Sequence, residues 1–213
     1  MDRIVKNAEE ASAQILVVSK NRENHKIQKL YDYGFRHMGE NRVQSLMDKK
    51  DELPSDIKWH IIGHLQKNKV KYIAEFIELI HSVDSINLAK TINKEAKKHR
   101  RVIPILLQCK VAIEATKFGI APNEIGQFVD ELQKLKLENI SIHGMMGMAT
   151  FTSNPDIVRS EFKQLKAMFD TIKNDYFKDD HDFNILSMGM SGDYELALEE
   201  GSNLLRLGSI FFR

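Results

Sequence analysis

The residues with the clearest chemical potential stand near the start of the chain, where four consecutive aliphatic residues run into Ser19 and Lys20. A run of this kind is typical of a parallel strand that is buried on both faces. On the two-residue period of a strand, Lys20 points the same way as Val18 and Leu16, so its amine leaves an apolar wall. Such surroundings lower the pKa of a lysine and leave a free amine that can condense with a carbonyl group. The alternative is a lysine that extends from the strand end into water.

Two small turns near the C-terminus, Ser191-Gly192 and Gly208-Ser209, are the second chemical signal. Backbone amides and hydroxyls exposed in such turns can hold a phosphate. Each turn also has a simpler interpretation. Ser191 can cap the helix that follows it, and Gly208 can be an ordinary glycine in a crowded strand.

The position of these turns relative to Lys20 depends on how the sheet closes. If the last strand pairs with the first, Arg206 and both turns become neighbours of Lys20, although they lie at opposite ends of the chain. An amine beside a phosphate-binding turn indicates a phosphorylated aldehyde held as a Schiff base. Pyridoxal 5′-phosphate (PLP) is the commonest molecule of that description. Each signal is ambiguous alone, so the prediction depends on their convergence.

The hydrophobic pattern predicts the elements that would position these residues: eight strands, the first seven each followed by a helix. The predicted strands cover residues 15–20, 35–39, 59–64, 78–83, 102–111, 140–148, 185–190 and 204–211. This alternation is typical of an α/β protein with a (β/α)8 TIM barrel. A doubly wound open sheet is the rival, because alternation does not say whether the first and last strands meet. We expect one domain over residues 1–213, since no linker, repeat or low-complexity segment divides the chain.

In a closed barrel, functional residues concentrate at the C-terminal ends of the strands. The sequence places there Lys20, Glu40-Asn41, Gly63-His64, Asp84, Lys110, Met146, 189–192 and 206–209.

Composition limits the classes of protein that remain. Hydrophobic residues make up 42% of the chain and charged residues 29%, as in soluble globular proteins. The 31 basic and 30 acidic residues leave no surplus that would attract nucleic acid or anionic lipid. No apolar run approaches the length of a membrane helix or forms a signal peptide. The single cysteine, Cys109, agrees with a reducing compartment. We therefore expect a cytoplasmic protein with neither nucleic acid nor membrane as partner.

Several strings, in order and over almost the whole chain, resemble the pyridoxal phosphate homeostasis protein family. The Trp-His-x-x-Gly-x-Leu-Gln-x-Asn-Lys and Leu-Ser-Met-Gly-Met-Ser strings are the most specific. The matching segments are 18–20, 39–41 with Gln44, 59–69, 81–84, 117–120, 144–146, 186–193 and 206–209.

The resemblance implies a barrel of the alanine racemase type with PLP held on Lys20. It further implies that Ser191 and the turn of Gly208 and Ser209 bind the phosphate, that Arg206 faces the pyridine nitrogen, and that Asn41 lies near the ring. A guanidinium donates hydrogen bonds and does not accept a proton, so it cannot keep the ring nitrogen protonated. The cofactor is then a poor electron sink, which argues against transaminase-type carbanion chemistry.

The resemblance also bears on catalysis. Racemases of this barrel type carry a second, β-rich domain with a catalytic tyrosine, and we expect this chain to lack it because the sequence ends on strand eight. The implied function is a monomeric carrier or regulator of intracellular PLP with no catalytic residue, and PLP-dependent apoenzymes are the potential partners. The alternatives are a single-domain PLP racemase, decarboxylase or aldolase, and a Schiff-base aldolase that uses Lys20 without a cofactor.

The sequence departs from the family pattern in three places. Only 19 residues precede Lys20, fewer than usual, so we expect an abridged opening helix. Lys110 stands where the family commonly has asparagine and is a rival attachment point, although we prefer Lys20. Ser209 replaces a common threonine and keeps the hydroxyl.

Two other combinations of reactive residues are interpreted as structural and not as functional sites. Cys109 with His143 could form a nucleophilic pair, but a lone cysteine in an apolar strand is usually a small buried hydrophobe. His60 and His64 lie four apart in a strand and lack the helical His-Glu-x-x-His arrangement, so we predict no metal site.

Overall fold

Eight parallel strands form a closed barrel in the computed structural model, which describes residues 1–112 and 118–212. The strands follow one another around the barrel in chain order, and the last pairs with the first, with Leu16 opposite Arg206. The predicted barrel is thus confirmed, and the open sheet is excluded. The strands are β1 Gln14–Val18, β2 His37–Glu40, β3 Lys58–Ile61, β4 Leu79–Val83, β5 Ile103–Cys109, β6 Ile140–Gly147, β7 Ile185–Ser187 and β8 Leu204–Leu207.

Helices lie outside the barrel and connect successive strands. Their ends follow local sequence signals. Gly34 ends the second helix with φ of 122°, Ser85 accepts a hydrogen bond from the Leu88 amide at 3.4 Å, and Asn154 caps the helix that begins at Pro155. The helices are α1 Asp2–Glu10, α2 Asn24–Tyr33, α3 Val43–Lys50, a 3₁₀ helix Lys67–Tyr72, α4 Ile86–Lys98, α5 Ile125–Leu135, α6 Pro155–Tyr176 and α7 Tyr194–Glu199.

Several strands end before their apolar runs do. The sequence predicts strands that continue through Ile62, Met148 and Met190, but β3, β6 and β7 stop earlier. Each of these three residues lines a cavity above the strands instead. A hydrophobic pattern cannot distinguish a strand residue from a cavity wall, because both are apolar.

Two apolar layers stabilise the barrel. The larger layer lies between strands and helices and includes Val17, Met38 and Ile80. A smaller cluster fills the barrel interior, and its members are Leu16, Leu79, Leu106, Met146 and Leu204. Residues two positions further along a strand share the same face, so the polar side chains of His81 and Arg206 also lie inside.

Cys109 is buried in the outer layer, and burial raises the pKa of its thiol. This agrees with the predicted role as a small hydrophobe. His143 instead lies 2.9 Å from the Ser141 hydroxyl. In the part of the chain that the structure describes, none of the helices combines the length and apolar character needed to cross a bilayer.

Candidate functional site

A cavity of about 720 Å³ opens at the C-terminal ends of the strands. All six residues predicted to bind the cofactor line it, and they come from both ends of the chain. They are Lys20, Asn41, Ser191, Arg206, Gly208 and Ser209. The barrel brings them together because β8 pairs with β1.

Lys20 stands two residues beyond the end of β1, where the chain has already turned. The regular strand therefore ends at Val18, two residues earlier than predicted, while Val18 and Lys20 both line the cavity. The Lys20 side chain is exposed at the edge of the cavity, as in the alternative interpretation of the sequence.

A buried ion pair holds the ends of β1 and β2 in place. The Lys49 Nζ lies 2.6 Å from Glu40 Oε1 and donates to the Ser19 carbonyl at 2.8 Å. The Ser19 hydroxyl donates to the same Glu40 oxygen at 2.7 Å. Ser19 immediately precedes Lys20, and Glu40 immediately precedes Asn41. The ion pair therefore fixes the backbone from which the Lys20 and Asn41 side chains extend. Sequence analysis missed it, since nothing local indicates that a helical lysine meets a strand carboxylate.

The two turns that were predicted to bind phosphate meet at one hydroxyl. The Ser191 Oγ accepts hydrogen bonds from the backbone amides of Gly208, at 3.1 Å, and Ile210, at 3.4 Å. Ser191 therefore does not use this oxygen to cap α7, whose N-cap is Asp193. The result is a cluster of amide and hydroxyl groups at the cavity wall, which suits an anion.

Gly208 has a steric role in this cluster. A Cβ atom at this position would lie 3.2 Å from the Val18 Cβ and from the Val18 carbonyl oxygen. The ends of β8 and β1 therefore approach closely here, and a larger residue at position 208 would require Val18 to shift by a few tenths of an ångström.

Arg206 lies beneath the cavity and is 3% exposed. Its Nη1 donates to the carbonyl oxygen and the hydroxyl of Ser187, both at 2.8 Å, and its Nη2 donates to the Gly147 carbonyl at 2.8 Å. Burial lowers the pKa of Arg206 to about 10, while the charge of Asp193 acts in the opposite direction. The guanidinium is therefore still a cation at neutral pH. Within residues 1–112 and 118–212 its Nε makes no hydrogen bond, which leaves this donor for a ligand.

A line of three histidines, of which His60 and His81 are buried and His37 is half-buried, continues from Arg206 across the barrel interior. His81 Nδ1 lies 3.3 Å from the Ser187 hydroxyl, His60 links His81 to His37, and the two contacts between rings measure 3.0 and 2.9 Å. Burial lowers the pKa of all three imidazoles, so they are neutral near pH 7. The sequence signal was a histidine at an inward position on each of three consecutive strands.

Two other residues predicted at strand ends, Gly63 and His64, also line the cavity. His64 stacks on Phe118 with ring centroids 4.1 Å apart. Lys110 follows β5, is half-buried and is not among the described residues that line the cavity. Lys117, part of one matching segment, falls outside the described residues. The described residues contain no cluster of side chains that could hold a metal ion.

The single parallel barrel, with Lys20 after its first strand and the turn of Gly208 and Ser209 after its last strand, is of the alanine racemase type. The family model of the alanine racemase N-terminal domain matches residues 1–213. The pyridoxal phosphate homeostasis protein of Aquifex aeolicus is 37% identical over 222 residues, which cover 100% of this chain and 93% of that protein. The chain therefore belongs to the pyridoxal phosphate homeostasis protein family.

Solved structures agree with this assignment. The protein PipY of Synechococcus elongatus is 31% identical and covers 100% of this chain and 99% of its own. Its TM-score is 0.90 without PLP and 0.87 with PLP bound. An alanine racemase of Clostridium difficile has a TM-score of 0.78 at 18% identity, which shows a shared fold, and this chain covers 55% of it.

Proposed function

We propose that this protein binds PLP reversibly through Lys20 and maintains the supply of PLP, without itself being a catalyst. The observation that carries the proposal is the convergence of an amine, an anion-binding turn and a buried guanidinium on one cavity. The name of the Aquifex aeolicus relative and the PLP-bound structure of PipY support the same ligand.

The phosphate end of the site is formed by Ser191, Gly208 and Ser209. The amides of Gly208 and Ile210 donate to the Ser191 Oγ and hold it in place, so its own hydrogen is left to donate to an anion in the cavity. The hydroxyls of Ser191 and Ser209 are donors that suit the acceptor-rich surface of a phosphate group. The residues present therefore fit this part of PLP.

The ring end of the site is formed by Arg206, with Asn41 on the cavity wall. The Arg206 Nε is the guanidinium donor available to the acceptor nitrogen of a pyridine ring. Because a guanidinium does not give up its proton at neutral pH, this residue binds the nitrogen without protonating it. The site thus orients the cofactor but does not prepare it to stabilise a carbanion.

The carbonyl end of the site is formed by Lys20. PLP supplies an aldehyde that condenses reversibly with a lysine amine. Since Lys20 is exposed at the cavity edge, water and other amines reach the same position. This access suits a protein that must release its ligand as well as hold it.

Three further parts of the proposal concern the protein as a whole. Residues 1–213 act as one PLP-binding domain in the cytoplasm, which the lone cysteine supports. A monomer is sufficient, because the barrel closes with strands of a single chain. Apoenzymes that require PLP are the proposed recipients.

Reduction of the protein with borohydride in the presence of PLP tests the proposal. We expect one peptide, containing Lys20, to gain the mass of the reduced adduct in a mass spectrum. Lys20→Ala should abolish this label. Lys110→Ala is the matched control and should keep it, because Lys110 does not line the cavity. A label on Lys110 instead would overturn the site assignment, and a protein that remains unlabelled would overturn PLP binding.

The enzyme alternative makes a different prediction for amino acids. A PLP racemase, decarboxylase or aldolase must labilise a bond at the Cα atom, and we expect the Arg206 environment to disfavour the carbanion that this step forms. Proton NMR in deuterated water, with saturating PLP and a panel of amino acids, should show no exchange of the Cα proton. Exchange that disappears in Lys20→Ala would favour the enzyme.

A further inference from the structure

A continuous row of hydrogen bonds crosses the barrel interior from β8 to β2. It runs from Arg206 through Ser187, His81 and His60 to His37, with contacts of 2.8, 3.3, 3.0 and 2.9 Å. Each residue comes from a different strand. His60 and His81 are at most 2% exposed, so water cannot complete their hydrogen bonds.

The direction of these hydrogen bonds follows from Arg206. A guanidinium has only donors, so the Ser187 hydroxyl oxygen must accept from Nη1. The Ser187 hydrogen then needs an acceptor, and the one within reach in the described part of the chain is His81 Nδ1. A neutral imidazole carries a single proton, so His81 must hold its proton on Nε2.

The same reasoning applies to the next two rings. His81 Nε2 faces His60 Nδ1, which must therefore accept, and His60 holds its proton on Nε2. His60 Nε2 faces His37 Nδ1, so His37 also carries its proton on Nε2. One fixed cation at the end of the row is thus sufficient to select one tautomer in three rings.

We propose that Ser187 and His81 are positioning residues that hold the Arg206 guanidinium in place, and that Arg206 in turn orders all three histidines as the Nε2-protonated tautomer. One premise comes from the proposed function, namely that Arg206 is the group that faces the ligand. The two Nη atoms are tied to Ser187 and Gly147, and Nε makes no hydrogen bond within the described residues. Without the Ser187 hydroxyl, the guanidinium loses one of its three hydrogen bonds and is held less firmly by the two carbonyl groups that remain.

Four charged groups of the described residues act on the row. Lys58 and Glu78 lie near His37, Arg206 is the charge beside His81, and Asp193 acts on Arg206 itself. The Lys58 and Glu78 charges lie 3.5 Å apart and largely offset each other. Arg206 is therefore the charge that sets the order of the row.

Histidine tautomers in the protein without PLP test the first half of the proposal. In long-range proton–nitrogen spectra of protein labelled with nitrogen-15 at histidine, we expect His37, His60 and His81 each to show a protonated Nε2 and an unprotonated Nδ1. A proton on Nδ1 of His81 would overturn the assignment. This measurement does not depend on PLP, so it tests the tautomer assignment even if the protein does not bind PLP.

Substitution of Ser187 tests the second half. Ser187→Ala should abolish the single-tautomer pattern of His81 and shift the absorbance maximum of the PLP-loaded protein, whereas Ser187→Thr, which keeps a hydroxyl, should restore both. Ser82→Ala is the matched control, because the Ser82 hydroxyl is buried beside His81 and has no hydrogen-bond partner among the described residues. If Ser187→Ala and Ser82→Ala both behave as the wild type, the positioning role is wrong.

Discussion

At the scale of single residues, Ser191 joins two parts of the chain. Its hydroxyl is the acceptor for two backbone amides of the turn that follows β8, although Ser191 itself follows β7. Hydrogen bonds within the chain therefore hold in place the cluster that we propose to bind the phosphate. A site that is already formed loses less entropy on binding than one that must order itself.

Ser191→Ala should weaken PLP binding about tenfold, which corresponds to about 1.4 kcal/mol, because a hydrogen bond to a charged phosphate is lost. The decrease should appear in absorbance titrations with PLP. Ser153→Ala is the matched control, since Ser153 is an exposed serine of the same cavity. An equal loss in both variants, or no loss in Ser191→Ala, would contradict the role of Ser191.

At the scale of elements, the pair of Lys49 and Glu40 ties α3 to the ends of β1 and β2. Both partners are almost entirely buried, with side-chain exposures of 11% and 1%. An ion pair in such a place contributes little net free energy. Removal of one partner is costly, however, because the other charge stays buried without compensation. Lys20 and Asn41 follow these strands directly, so the pair also stabilises the cavity wall.

Lys49→Met should destabilise the protein by about 3–5 kcal/mol, because the buried Glu40 carboxylate loses its counter-charge. Urea unfolding at neutral pH measures the effect. The double variant Lys49→Met with Glu40→Gln should recover most of the loss, since a neutral amide can still accept from the Ser19 hydroxyl.

Lys50→Met is the control for a surface pair. Lys50 contacts Asp51, whose side chain is 78% exposed, and such pairs are worth about 0–1 kcal/mol. A loss as large as that of Lys49→Met would mean that burial of the partner carboxylate is not the cause of the effect.

At the scale of the whole molecule, the buried histidines link protonation to folding. The native pKa values of His60 and His81 lie well below the ordinary 6.5, mainly because burial penalises the charged form. Between the native pKa and 6.5 the unfolded chain binds a proton that the native protein does not. The free energy of unfolding therefore rises with pH in this range and falls as the solution becomes acidic.

We expect the free energy of unfolding to fall between about pH 7 and about pH 5, with a slope of about 1.4 kcal/mol per pH unit for each histidine that the native state keeps neutral. Urea unfolding at several pH values gives the slope. His81→Gln should reduce the slope by about 1.4 kcal/mol per pH unit, which corresponds to one proton. His99→Gln is the control, because it removes a histidine that is exposed to solvent. A flat profile in the wild type would contradict the linkage.

Sequence alone determined the order and type of the elements. Alternation of apolar strands and amphipathic helices, Gly34 at a helix end and Asn154 at a helix start are local signals, and the structure follows them. The six residues expected to bind PLP could also be chosen in advance, because strand ends and the resemblance to one family both pointed to them. These predictions depend on hydrogen bonds and periodicities that span only a few residues.

Only the tertiary structure decided what these residues touch. It placed Lys20 beyond the end of β1, gave Ser191 the amides of another strand as donors, and joined Arg206 to three histidines across the barrel. The physical reason is that closing the ring of strands sets inward side chains from different strands within hydrogen-bonding distance. No pattern along the chain records those distances.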